Sequence, residues 1–262
     1  SRWRSRSATH CSGVRSAAAV DEAPQVVRTA DSAPLGGATD KAAIEAIVHD
    51  YLVNNPEVML EVQDALEKKQ GEAQRVAQRK VIGATSKEIF DASYDGVIGN
   101  PDGKLSIVEF FDYNCHFCKQ ALPDMQALVK ENKDLRFVLK EMPIFGEDSQ
   151  RASIVSMAFN KLMPGKFAEF HQKLLGDEGK ANEAKAIRIA VSLGADEAAL
   201  RKEMADPAIQ KDIESTYQLA NRLSITGTPS YVVGDEVVVV ALGRQLLDQK
   251  LANVRACNHT TC

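Results

Sequence analysis

Ile44, Ile47, Val48, Tyr51 and Leu52 fall at i, i+3, i+4, i+7 and i+8, the spacing that lays one apolar stripe along a helix. Asp40 is its expected N-cap. Asn54-Asn55-Pro56 interrupts the pattern, and Pro56 then suits the first position of a second helix over 56–78. There Met59, Val62, Leu66, Ala73 and Val76 recur at heptad-like spacing, with Lys69 and Gly71 breaking the seam. The two helices predict an amphipathic arm over 40–90. Such a stripe either packs on its own chain or pairs with a second copy, and the expectation is a homo-oligomer.

Farther along, the period changes. The turn signal Gly99-Asn100-Pro101-Asp102-Gly103 precedes a strand over Leu105–Phe111. A helix over 115–131 carries Leu122, Met125, Leu128 and Val129 on one face. In Leu135–Glu141, Leu135, Phe137 and Leu139 alternate with Arg136, Val138 and Lys140, as in a strand. Residues 148–224 read as helical throughout, with breaks at Met163-Pro164-Gly165, Gly176, Gly194 and Asp206-Pro207. Strands over 230–233 and 237–242, joined by Gly234-Asp235, and a helix over 246–254 follow. The order predicts an α/β domain over 91–262 with a helical insertion at about 148–224.

A chain of 262 residues has ample material for a core without disulfide staples. Its net charge of -4 and pI near 5.8 leave no broad basic footprint for nucleic acid or an anionic membrane. No apolar run approaches the roughly 20 residues a membrane span needs, so a soluble body is expected. Residues 1–39, rich in Ala, Ser, Pro and Gly, predict a disordered leader. Arg2, Arg4, Arg6 and Arg15, with the small residues 16–20, suit an export leader, yet the apolar core of a secretory signal is not evident.

The candidate chemistry is Cys115-His116-Phe117-Cys118, directly behind a strand and at a helix start. Free backbone N–H groups and the positive end of the helix dipole favour a thiolate there, so Cys115 is the expected nucleophile. Such a role needs a sulfur that solvent can reach. A CxxC pair is also a common half of a zinc site, but no second pair stands at suitable spacing in the core. Cys11 is alone in the leader. Cys257-Asn258-His259-Thr260-Thr261-Cys262 suits a short disulfide loop, with free thiols or a metal clip using His259 as alternatives. A persisting disulfide fits an oxidising compartment.

The segment from Phe110 to Cys118, together with Ile225-Thr226-Gly227-Thr228-Pro229-Ser230-Tyr231, resembles the thioredoxin fold and specifically the DsbA-like family. The likeness spans about residues 96–254, helical insertion included. Asp50-Tyr51-Leu52-Val53-Asn54-Asn55-Pro56-Glu57-Val58 is similar to the leading segments of oligomeric relatives linked to copper tolerance. The resemblance implies a thioredoxin fold with a helical insertion, preceded by the amphipathic arm. It implies thiol-disulfide exchange in which Cys115 attacks and Cys118 resolves, and a cis bond before Pro229 that sets the Thr228 backbone beside the sulfurs. Thr228-Pro229 as an ordinary turn is the alternative.

Glu109 takes the position of the family's partly buried acid, placed to move a proton at Cys118, although strand alternation would equally turn it to solvent. His116 either adds cationic support to the thiolate or is simply exposed; the better-known pattern has proline first and histidine second. No cofactor or metal is implied. The expected partners are cysteine-containing exported proteins and a membrane or soluble redox partner, in a bacterial periplasm. An oligomeric isomerase or reductase, and a Cu(I)-binding protein of copper tolerance, remain the rival readings.

Overall fold

The computed structural model describes residues 41–239 and 243–262, with only the backbone of Val239. The expected leader, Cys11, the Asp40 cap and the end of the last strand lie outside them. The described residues fall into two units, one ending at Met59 and the other running from Leu60 to Cys262.

In the first unit, α1 (Lys41–Asn54) buries none of its residues. Ala42, Ala43, Ala46 and Val53 widen its apolar surface beyond a single stripe. It stops where Asn54 and Asn55 turn their amides back onto the Asp50 and Tyr51 carbonyls, each at 2.8 Å, ahead of Pro56.

The next helix, α2 (Glu57–Ala84), extends beyond the predicted 78 and is followed by a short α3 (Ser86–Phe90) that the apolar pattern does not predict. In its last turns Gln78 accepts from Val237 N at 3.0 Å and Arg79 pairs with Asp235 at 2.8 Å, while Ile82 enters the core. Leu60, Val62, Leu66 and Val76 remain exposed. The second arm helix thus packs by its end and leaves its heptad-like face bare.

A five-stranded sheet ordered β1-β3-β2-β4-β5 forms the body. Its strands are β1 (Gly96–Gly99), β2 (Leu105–Phe111), β3 (Leu135–Glu141), β4 (Ser230–Val233) and β5 (Glu236–Val239). Only β2 and β3 run parallel, joined by α4 (His116–Glu131), as a crossover requires. The edge strand β1 is too short and glycine-flanked to show a period. Gly96 is required there, because a Cβ would stand 1.9 Å from the Phe167 ring that lies on it.

The insertion consists of α5 (Glu147–Leu162), a 3₁₀ turn at Pro164–Lys166, α6 (Phe167–Gly176), α7 (Glu183–Ser192), α8 (Glu197–Met204) and α9 (Pro207–Arg222). Asn182, Asp196 and Asp206 cap the N-termini of α7, α8 and α9. After β5 comes α10 (Arg244–Cys257), whose last turn is closed by Asn258 in the left-handed region.

Core residues line both sides of the sheet. Ile107, Phe111, Leu128 and Phe137 share one cluster; Val108, Phe110 and Val138 join Ile82, Ile89 and Leu219 in the other. Both phases of β2 and β3 are therefore buried, so alternation does not separate inside from outside. The cost is charge in the interior. Lys140, fully buried, pairs with Asp95 at 2.6 Å, donates to the Glu88 carbonyl and lies over the Tyr94 ring. Burial raises Asp95 to about 7 against the pull of Lys140.

Glu141 accepts from Ser153 at 2.7 Å, and burial pushes it up to about 8. A carboxyl raised in the fold binds its proton more tightly than in the unfolded chain, so stability falls as pH rises from about 4.5 to about 8. Glu141→Gln is expected to flatten that fall by an amount on the order of a few kcal/mol. Urea unfolding at intervals from pH 4 to 9 checks it; parallel curves for the two proteins would reject it.

Candidate active site

Three chain ends meet at one edge of the sheet: the end of β2, the start of α4 and the start of β4. Between the first two, Asp112 forms a turn, its carboxylate accepting from Asn114 N at 2.7 Å, from Ser149 Oγ at 2.8 Å and from Phe145 N at 3.0 Å. The Asn114 side chain donates to Ser149 and Ala181 O and accepts from Ala181 N at 2.7 Å. The loop before the cysteines is thereby fastened to the insertion. These two positioning residues are absent from the sequence expectation; the short Asp-x-Asn spacing before a cysteine is the signal that would have marked an Asx turn.

Cys115 is the N-cap of α4, its Sγ accepting from Cys118 N at 3.3 Å. The Thr228-Pro229 peptide is cis and brings Thr228 O to 3.2 Å from that sulfur. A hydrogen bond from the Cys118 thiol lowers the Cys115 pKa to about 6, helped by the N–H groups of Cys118 and Phe117 and opposed by burial. The leading cause is the partner thiol, ahead of the helix N–H groups the sequence pointed to. Cys118 is shifted upwards by burial, by its bond to Cys115 and by the charge of Glu109. The pair therefore holds one sulfur ionised and the other protonated at neutral pH.

The nucleophilic position is less open than its expected role demands, with Cys115 only 1% exposed. The Thr228 carbonyl closes over it, while Gly227 and Thr228 are half-buried and Thr226, His116 and Phe117 are exposed. The sulfur thus sits one residue layer below the surface, and a substrate must contact this rim to reach it.

Glu109 does not face solvent: it is 2% exposed, on the face of β2 that carries the cysteines. Burial and the charge of Cys115 push it up to about 8, with a hydrogen bond from Tyr231 pulling the other way. His116 is exposed, and its ring meets Phe117 edge-on at 5.6 Å. The thiolate's support comes from other groups. Cys115, Cys118, Thr228, Pro229 and Glu109 are thus brought together, and His116 stands at the rim.

At the far end of β4, Cys257 and Cys262 are bonded, and their loop is held to the Gly234-Asp235 turn. Asp235 accepts from Thr260 N at 2.9 Å and Thr260 Oγ1 at 3.0 Å and contacts His259 Nδ1 at 2.8 Å. Among the described residues no group of three or more His, Cys, Asp or Glu side chains is placed to hold a metal ion, and no helix is long and apolar enough to cross a membrane.

Residues 40–73 match the copper resistance protein ScsC N-terminal domain. A thioredoxin-like oxidoreductase from Silicibacter pomeroyi DSS-3 is 36% identical, with a TM-score of 0.62 over 65% of this chain and 98% of that one. A linker-deletion variant of Proteus mirabilis ScsC is 26% identical, with a TM-score of 0.64 over 86% of this chain and 99% of that one. Disulfide bond formation protein D of Bacillus subtilis is 25% identical over 54% of this chain and 68% of its own length. The Na(+)/H(+) antiporter NhaA 3 of Salinispora tropica is 27% identical over 55% of this chain, which spans only 22% of the antiporter's length. Residues 106–252, more than half of the chain, match the DSBA-like thioredoxin domain. With its CxxC pair at the head of α4, the chain belongs to that family of DsbA-like thiol-disulfide oxidoreductases.

Proposed function

We propose that this protein forms disulfides in cysteine-containing exported polypeptides, with Cys115 as the exchanging sulfur and Cys118 as the resolving one. The observation that carries this reading is Cys115 capping α4 with its sulfur accepting from Cys118 N at 3.3 Å, a setting in which its pKa is lowered to about 6 while that of Cys118 is shifted upwards. Stabilising the thiolate favours the reduced enzyme and makes its disulfide the stronger oxidant. In the oxidised form a substrate thiolate attacks Cys115 Sγ, and Cys118 leaves and takes a proton, with Glu109 as its nearby acid. A second substrate thiolate then attacks the substrate sulfur of the mixed disulfide and expels Cys115 as thiolate. The substrate loses two electrons and the motif gains them; a membrane or soluble redox partner removes them. The Thr228 backbone offers an extended substrate a strand-like contact at the rim. The Cys257–Cys262 bond agrees with a periplasmic setting.

A second reading, a homo-oligomeric isomerase, is favoured by one specific feature. Ile47, Val53, Leu60 and Leu66 are exposed on the arm, and the matched ScsC segment covers the same residues. Reduction potential against glutathione, with native mass, separates the two. The oxidase reading expects a potential on the oxidising side of roughly -180 mV. A value near roughly -270 mV, with an oligomeric mass and reactivation of scrambled ribonuclease, would replace it by the isomerase or reductase.

A further inference from the structure

β2 and β4 run antiparallel with Glu109 directly opposite Tyr231, so the two side chains leave the sheet on the same face. On its other flank Glu109 is paired with Leu139 of β3, which offers no proton. Yet an acid that serves Cys118 must gain or lose a proton in every cycle, and this one has almost no surface of its own. Tyr231 faces Glu109 across the ladder on one side. On the other it lines a cavity of about 190 Å³ together with Gln120, Asp124, Gly243, Leu246 and Leu247. Gln120 and Gly243 are exposed, so the cavity opens to solvent. Its volume is ample for several waters.

We propose that Tyr231 is a positioning residue through which Glu109 exchanges its proton with solvent in the cavity between β4, α4 and α10. The inference rests on the exchange reading above. When Cys118 attacks the Cys115–substrate disulfide, its Sγ–H proton passes to the Glu109 carboxylate. The sulfur's electron pair forms the Cys115–Cys118 bond, and the substrate sulfur leaves as thiolate. Glu109 then passes a proton to the Tyr231 oxygen while the tyrosine's own hydroxyl proton moves to cavity water. Tyr231 stays neutral throughout, which agrees with burial and the nearby charges of Glu109, Cys118, Asp124 and Cys115 holding its pKa well above the ordinary value. These groups from α4 and β2 are the titratable ones facing it; α10 contributes Leu246 and Leu247 to the cavity wall. The route is specific to a hydroxyl at this position, since phenylalanine would fill the same volume and leave Glu109 sealed.

The test is a single turnover of the reduced full chain with one equivalent of an aromatic nitrobenzoate disulfide, followed from pH 5 to 9. Attack by Cys115 releases the first coloured thiolate and resolution by Cys118 releases the second. Tyr231→Phe is expected to slow the second phase about tenfold at pH 7 and move the midpoint of its pH profile, with the first phase unchanged. Glu109→Gln, run alongside, should slow the same phase. An unchanged second phase in Tyr231→Phe would overturn the proposal, as would equal slowing of both phases, which marks a rearranged motif. A first phase missing from the unsubstituted protein would overturn the exchange reading and the inference with it.

Discussion

Cys115→Ser is expected to abolish disulfide exchange while the fold persists. Serine cannot form the mixed disulfide, and its hydroxyl stays protonated where the thiol ionises near pH 6. The local structure has little reason to change. Cys115 serves as N-cap to α4 by accepting from Cys118 N, and serine is among the best residues for that position. Its smaller side chain also fits under Thr228. Oxidation of a two-cysteine peptide, read beside far-ultraviolet circular dichroism, should give no turnover and an unchanged spectrum. Any surviving exchange would remove Cys115 from the mechanism. The companion Cys118→Ser should still make the first attack and then accumulate mixed disulfide, visible by mass, because nothing resolves it.

For stability the largest expected effect is at Asp95. Asp95→Ala leaves the Lys140 ammonium fully buried with the Glu88 carbonyl and the Tyr94 ring, a loss of roughly 3–5 kcal/mol. Lys140→Met should cost less. A buried carboxyl already raised to about 7 can take up a proton when its partner is removed, whereas the lysine must either stay charged in the interior or lose its proton. The double substitution to apolar residues should recover much of the loss. Urea midpoints of the three variants test this, and equal losses for the two single changes would contradict the asymmetry.

The parts of the site written in contiguous residues were legible from the chain itself. Cys115 and Cys118 carry their spacing, their strand and their helix start within a dozen residues, and Thr228-Pro229 stands before a strand-like run. Position alone was readable for Glu109. Its burial follows from β2 being covered on both faces, which no alternation of Val108, Glu109 and Phe110 records. The insertion helices were legible through their breaks, each a proline or a residue suited to a cap or turn. β1 was not, because four residues bounded by glycines have no period to read and its place is set by pairing with β3. The same holds for Asn114 with Ala181, Lys140 with Asp95 and Glu109 with Tyr231. Each is a pairing of residues distant in sequence, which only the folded sheet and insertion bring together.

The seclusion of the Cys115 sulfur also bears on chemical damage. Oxidation by peroxide to sulfenic and then sulfinic acid needs a thiolate that small reagents reach freely, and the last step has no general repair. Here the ionised state is favoured but the approach is roofed by the Thr228 carbonyl. Cys118, whose backbone N–H donates to the Cys115 sulfur within the same helical turn, can divert a first oxidation product into a recoverable disulfide before a second oxygen is added.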